Sequence, residues 1–216
     1  PGSIVIAKII CPQTEPIKDD KKAEWGDEGH ANVLGAISSG TVTGVKLMTN
    51  IAAMLLVFIS LVAMVNYVTN NVIGHYTGIN DWIVRVTDGK SDGLTFQFIL
   101  GIITAPFMWL IGVPTNDIML VGSLLGQKTI LNEFVAYFQL QQWRDAGLFF
   151  SQKSVVMATY ILCGFANISS IGILLGGLGV LAPEKKDLIS RVGFKAMIAG
   201  ALVSVLSATI IGMIFV

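Results

Sequence analysis

Two long stretches of the sequence are almost free of charged side chains. Residues 154–181 contain no Asp, Glu, Lys, Arg or His, and residues 47–80 contain only His75 from this set. A helix needs about 20 predominantly apolar residues to cross the ~30 Å hydrocarbon core of a bilayer. The segments 45–68 and 154–181 meet this requirement, and we therefore predict that both span a membrane.

The overall composition supports a membrane protein. Hydrophobic residues make up 53% of the chain and charged residues 13%, whereas soluble domains carry about 25% charged residues. Such a chain has too little polar surface to cover itself in water. Its formal net charge of +0 excludes a strongly basic nucleic-acid-binding protein. We expect an all-α, multi-pass integral protein of the plasma (inner) membrane. Its partners should include the lipid bilayer and no nucleic acid.

The apolar pattern divides residues 1–216 into a series of membrane elements. The chain begins at Pro1 with an apolar segment too short to span a bilayer, so we expect it to be the C-terminal membrane domain of a longer protein. The predicted elements are the end of a truncated span at 1–11, an interfacial helix at 30–44, a span at 45–68, a membrane helix at 94–114, a re-entrant hairpin at 117–142, a broken span at 154–181 and a last span at 196–216.

The hairpin prediction depends on two apolar arms within residues 117–142. Each arm has about ten residues, which is too short to cross a bilayer alone, and Gly126-Gln127-Lys128 separates them. Non-helical backbone at membrane depth is tolerated only where it is buried in protein or lines a cavity. We therefore place the turn at 126–128 and expect Lys128 either to pair with a carboxylate or to reach water.

Polar residues interrupt the apolar pattern at two places. Glu133 follows Asn132 inside the second arm of the hairpin, and an ionisable group at this depth needs partners or a water-filled cavity. Asn167 and Ser170 interrupt the span at 154–181, where glycines are also frequent. This combination is typical of a helix that breaks at mid-depth to meet a ligand, although close helix packing through small residues is an alternative. We predict that the two interruptions form opposite walls of one polar site and that Asn132 is structural.

The same residues make several function classes poor candidates. One glutamate without a nearby aspartate or histidine does not form a nucleophile–base or paired-carboxylate set, so we expect no enzyme. No Cys/His cluster has the spacing of metal ligands, so we expect no metal site and no cofactor in this chain. An ion channel and a structural membrane subunit with a re-entrant loop stay open as alternatives to a transporter.

Four stretches carry a resemblance to a known family. They are GQKTILNEFVAY at 126–137, LCGFANISSIGILLGGLGVLAPEKK at 162–186, NIAAMLLVFISLVAMVN at 50–66 and PGSIVIAKIICPQTEP at 1–16. The sequence resembles the concentrative nucleoside transporters, in the half that follows their first re-entrant hairpin. The resemblance implies half of an inverted-repeat fold and cation-coupled uptake of nucleosides, driven by Na+ or H+, through alternating access in a homotrimer.

The resemblance also assigns residues to the nucleoside. It implies that this chain supplies the ribose-binding side of the site through Glu133, Asn167 and Ser170, and that the coupling-ion ligands lie outside this chain. Two interpretations of Phe165 stay open: it packs on the ligand, or it is ordinary helix-packing bulk. Gln13-Thr14-Glu15 looks like the Gln-Thr-Glu motif of the family's first hairpin, but its flanking prolines do not fit that setting, and we assign it no role.

Overall fold

A computed structural model of the protein describes residues 2–12, 14, 33–87, 89–172 and 183–215. All regular structure in these ranges is helical, with no β-strand in any of them, which confirms the predicted all-α fold class. The chain divides into two compact units, one formed by Gln13–Ala63 and the other by Pro1–Pro12 together with Met64–Val216.

Residues 33–63 of the smaller unit belong to one long helix. Helix α2 runs without interruption from Val33 to Asn66, 34 residues. The structure thus differs from the predicted division into an interfacial helix at 30–44 and a span at 45–68. Polar residues do not end the helix here, because the hydroxyls of Thr41 and Thr49 each donate to the carbonyl oxygen four residues earlier, at 2.8 and 2.9 Å.

The larger unit contains the remaining helices. A π-helical turn, Tyr67–Gly74, continues directly from α2. The other helices are α1 (Gly2–Ile10), α3 (His75–Thr77), α4 (Ile79–Val86), α5 (Phe96–Leu110), α6 (Ile118–Ile130), α7 (Glu133–Asp145), α8 (Gln152–Leu162) and α9 (Lys186–Ile214). Helix α5 lies within the membrane helix predicted at 94–114.

Helices α6 and α7 form a helical hairpin in the predicted region, but its turn lies elsewhere. Each helix has 13 residues, a length of about 20 Å, and the turn is at Leu131 and Asn132 rather than at 126–128. Gly126 is helical, and a Cβ atom there would stand 2.6 Å from the Cβ of Leu100. This glycine therefore allows α5 to approach α6 and does not form a turn.

Helix α6 lies at the centre of the larger unit. Every residue from Leu120 to Lys128 is buried, because α5, α7 and α8 all pack against this helix. The apolar core around it draws on all of these elements and on α9. Its members include Met108, Val121, Leu124, Ala136, Leu140, Met157, Ile161, Leu162 and Ala208.

Helix α9 begins ten residues before the predicted last span at 196–216. A 3-10 turn, Pro183–Lys185, leads into it, and Asp187 lies in its first turn, where a negative charge is favourable. The charged segment between the predicted broken span and the predicted last span is therefore helical from Lys186 onward. By length and composition, residues Asp187–Ile214 could cross a bilayer, and they form the one such helix found in the described ranges.

A stripe of small residues brings α9 against α8. Ala208 is fully buried, and a Cβ atom at Gly212 would lie 2.8 Å from the Sδ of Met157. Small side chains thus allow the two helices to approach closely, as in many membrane helix pairs. The stripe consists of Gly200, Ser204, Ala208 and Gly212.

Candidate functional site

The segment predicted as a broken span is interrupted close to its polar residues. Helix α8 ends at Leu162, and helical geometry resumes at residue 168. In the interruption, a Cβ atom at Gly164 would collide with the Oγ of Ser204 in α9. The glycine therefore lets the non-helical backbone run close to α9. The last part of the predicted span, residues 173–182, lies outside the described ranges.

Asn167 begins the helical segment after the break. Its Oδ1 accepts hydrogen bonds from the backbone N–H of Ser170, at 2.7 Å, and from the Ser169 hydroxyl, at 2.6 Å. The Ser170 hydroxyl in turn donates to the Asn167 carbonyl at 2.6 Å and accepts from the Asn167 N–H at 3.3 Å. These reciprocal bonds resemble a capping box and fix the Asn167 side chain at the helix start.

A second helix start lies at the turn of the hairpin. Asn132 has an extended backbone, and its Oδ1 accepts from the N–H of Val135 at 3.0 Å, which caps helix α7. Glu133 is the first residue of that helix, where the helix dipole favours a carboxylate. Asn132 thus has the structural position expected for it, and its cap orients Glu133.

The two helix starts meet through their side chains. The Nδ2 of Asn167 donates to the Oε2 of Glu133 at 2.7 Å. Asn167 is fully buried, while Glu133 is half-buried. No group among the described residues donates to the Oε1 of Glu133. The contact therefore leaves acceptor capacity on the carboxylate and one N–H of the amide for a further polar partner.

The other two predicted site residues occupy different positions around this contact. Ser170 is 3% exposed, and its hydroxyl is bonded to the Asn167 backbone rather than to Glu133. Phe165 lies in the break itself, and its side chain is 57% exposed. The structure thus joins Glu133 directly to Asn167, places Ser170 behind that amide, and leaves Phe165 outside the apolar core of the described residues.

Lys128 is the polar residue of this region that the sequence did not explain. Its side chain is fully buried, and its Nζ donates to the Ile161 carbonyl at 2.7 Å and to the Ser204 Oγ at 3.1 Å. It neither forms an ion pair with a carboxylate of the described residues nor reaches water, which corrects both expectations. The sequence did contain a signal for this burial, because Lys128 lies between two apolar arms that both need to be buried.

Clusters of metal-binding side chains are absent from the ranges that the structure describes. No three or more His, Cys, Asp or Glu side chains lie close enough there to hold a metal ion. The two cysteines, Cys11 and Cys163, are exposed and free. The site thus consists of a carboxylate, amide and hydroxyl groups and an aromatic ring, a set suited to a polar organic ligand with hydroxyl groups.

Comparison with known proteins identifies the family to which this chain belongs. The sequence model of a family described as "Na+ dependent nucleoside transporter C-terminus" matches residues 1–212. The chain is 41% identical over 216 residues to an "Uncharacterized transporter YutK" of Bacillus subtilis (strain 168), covering 99% of this chain and 49% of that protein. It is 38% identical over 215 residues to "Nucleoside permease NupC" of Helicobacter pylori, covering 99% and 48% respectively.

A solved structure agrees with the sequence matches. The structure of CNTnw in an inward-facing substrate-bound state superposes with a TM-score of 0.77 at 38% sequence identity, covering 98% of this chain and 47% of that chain. The chain therefore spans about half the length of each of these three proteins. The likeness extends over 98% of this chain.

The cap at the hairpin turn can be tested by substitution in the full-length protein. We expect Asn132→Ala to lower its unfolding free energy by about 1 kcal/mol, because the Val135 N–H loses its acceptor. Asn132→Ser should keep most of the stability, since a serine oxygen can also cap. Thermal unfolding in detergent measures the effect, and Asn116→Ala, at an exposed position, serves as the control. Equal melting temperatures for Asn132→Ala and wild type would contradict the cap.

Proposed function

Because the chain belongs to the family of Na+ dependent nucleoside transporters, we propose that it takes part in the cation-coupled, concentrative uptake of nucleosides. In this proposal it supplies the ribose-binding side of the site. The hairpin and the broken helix move together between inward- and outward-open states, as expected for alternating access in a repeat-based transporter.

One observation carries the proposal. The hydrogen bond between Glu133 and Asn167 joins the hairpin to the broken helix and leaves hydrogen-bonding capacity on both side chains. A carboxylate offers about four lone-pair sites, and an amide nitrogen has two N–H donors. Asn167 uses one N–H for Glu133, so one donor and several acceptors are available side by side.

The vicinal hydroxyls of a ribose match these free groups. Each hydroxyl can donate to an oxygen of Glu133, and one of them can accept from the Nδ2 of Asn167. Hydrogen bonds to an ionised carboxylate are roughly twice as strong as neutral ones. The pair therefore selects a neighbouring pair of hydroxyls over an apolar group or a single hydroxyl.

Ser170 and Phe165 complete the proposed site in different ways. Ser170 holds Asn167 in place through its backbone bonds, and it contacts the ribose when its hydroxyl turns from the Asn167 carbonyl to the sugar. Phe165 has an exposed ring in the break, and we assign this ring to packing on the nucleoside. The aromatic face supplies apolar contact area that the three polar groups lack.

The coupling cation and the assembly state belong to the whole protein. We propose that Na+ or H+ drives uptake by raising nucleoside affinity in one state, with Na+ favoured by the name of the matched family. Its ligands lie outside this chain. The transporter works in the plasma membrane as a homotrimer.

Uptake by the intact protein tests this function. We expect labelled uridine or adenosine to accumulate in proteoliposomes above its external concentration, because a cation gradient does work on the solute. Sodium and pH should be varied separately, so that the gradient supporting accumulation identifies the ion. An ion current without accumulation of solute would instead indicate a channel.

The residue pair can be tested in the same assay. Glu133→Gln and Asn167→Ala should each abolish uptake, since each removes groups that hold the ribose. Glu184→Gln, at an exposed position before α9, should transport like wild type and serves as the matched control. Undiminished uptake by Glu133→Gln, at equal protein in the membrane, would remove the role assigned to Glu133.

Deoxyribose nucleosides test which part of the substrate the pair holds. We expect 2′-deoxyuridine and 3′-deoxyuridine to compete with uridine at least tenfold more weakly, because a missing hydroxyl leaves a buried polar partner unpaired. A change of nucleobase at constant ribose should have no such effect at this side of the site. Equal competition by uridine and its deoxy analogues would contradict the assignment.

A further inference from the structure

The ammonium group of Lys128 lies where the hairpin meets the broken helix. The side chain is fully buried, and its two hydrogen-bond acceptors come from α8 and α9. Neither ion pair of the described residues includes it, since these are Lys90–Asp117 and Arg144–Asp145. A charged group at such a place is costly, and it is kept where it has a specific role.

One of the two acceptors lies at the end of a helix. Ile161 is in the last turn of α8, which ends at Leu162, so its carbonyl has no partner four residues ahead in the same helix. The carbonyl end of a helix carries partial negative charge and favours a cation. In transporters, such half-helix ends are typical places for a coupling cation, and here a lysine of the same chain brings the cation.

The space around the ammonium group fits this arrangement. A Cβ atom at Gly164 would stand 3.4 Å from the Lys128 Nζ and would also collide with the Ser204 Oγ. A side chain at position 164 would displace the Ser204 hydroxyl, one of the two acceptors of Lys128. The glycine in the break and the lysine in the hairpin are thus parts of one arrangement.

The position of this bond relative to the proposed ribose site gives its consequence. Glu133 follows Lys128 by five residues, and Asn167 follows Ile161 by six. The Lys128–Ile161 bond therefore joins α6 to α8 just before the hairpin turn and the break, and the Glu133–Asn167 bond joins the two segments just after them. Between these points, residues 131–132 of the hairpin and residues 163–167 of the break are non-helical. The two bonds thus fix both ends of each non-helical stretch.

We propose that Lys128 is a positioning residue for the nucleoside, a tethered cation that holds the hairpin turn to the break so that Glu133 and Asn167 stay in contact. This role rests on the proposed function, in which that pair binds the ribose. Lys128 itself does not touch the substrate. Its loss should weaken binding of the ribose more than it weakens the fold.

Substitution of the lysine in the full-length transporter provides the functional test. Lys128→Met keeps the length of the side chain but removes the charge, and it should raise the KM for uridine roughly tenfold or more, as expected for loss of hydrogen bonds from a charged donor. The preference for uridine over 2′-deoxyuridine should shrink in this variant. Lys195→Met, at an exposed position of α9, is the control and should behave like wild type.

Two further variants separate positioning from folding. Ser204→Ala removes one acceptor of Lys128 with little change in volume, and it should raise the KM about three- to tenfold. If Lys128→Met is not recovered as a folded protein, an unchanged KM in Ser204→Ala overturns the proposal and a raised KM supports it. In Lys128→Ala, n-propylammonium should restore affinity, whereas n-propanol should not, because only the former returns a cation to the Ile161 carbonyl.

A distance measurement tests the positioning role of Lys128 without a transport assay. Spin labels at two exposed positions, Phe138 in α7 and Ile168 after the break, report the separation of hairpin and broken helix in the absence of nucleoside. Before labelling, Cys11, Cys163 and any further cysteine of the full-length protein are replaced by serine. We expect the distance distribution to widen in Lys128→Met. An unchanged distribution, or a wild-type KM in that variant, overturns the role of Lys128, whereas absence of uptake by the wild type itself contradicts only the proposed function.

Discussion

The hydrogen bond from Asn167 to Glu133 is the contact on which this arrangement depends. It joins the first turn of α7 to the start of the helical segment after the break, and both helix starts exist because the chain interrupts its helices at the hairpin turn and after Leu162. An interrupted helix exposes backbone N–H and C=O groups that lipid cannot satisfy. The polar residues of this region therefore serve the backbone first, and the candidate site uses the hydrogen-bonding capacity that is left over.

Side-chain caps meet much of this backbone requirement in the larger unit. Thr95 caps α5, Asn132 caps α7 and Ser151 caps α8, each by accepting from an N–H of the first turn. Asp117 is fully buried and accepts from the N–H groups of Phe150 and Ser151, just before α8. Each cap fixes where a short helix begins. Since Glu133 and Asn167 lie at such starts, the caps also determine where their functional groups point.

The sequence predicted the class of fold and the two polar interruptions, but not the local geometry. Long uncharged runs require membrane helices, and a glutamate among apolar residues requires a partner, so both inferences follow from the cost of burying polar groups. The turn of the hairpin was misplaced because glycine has two uses, and at Gly126 it serves packing against Leu100. The partners of Lys128 lie 33 and 76 residues away, and no local pattern indicates such contacts.

The two charges nearest the hairpin turn, Lys128 and Glu133, fit the two ends of the break. Lys128 donates to a carbonyl in the last turn of α8, the negative end of that helix, while Glu133 accepts from Asn167, which begins the next helical segment and thus marks its positive end. A cation and an anion five residues apart, one on each side of the hairpin turn, therefore match the polarity of the two helix ends at the break. Exchanging the two charges would oppose a cation to Asn167 and a carboxylate to the free carbonyls of α8. The order of lysine and glutamate along the hairpin thus complements the helix dipoles on the two sides of the break.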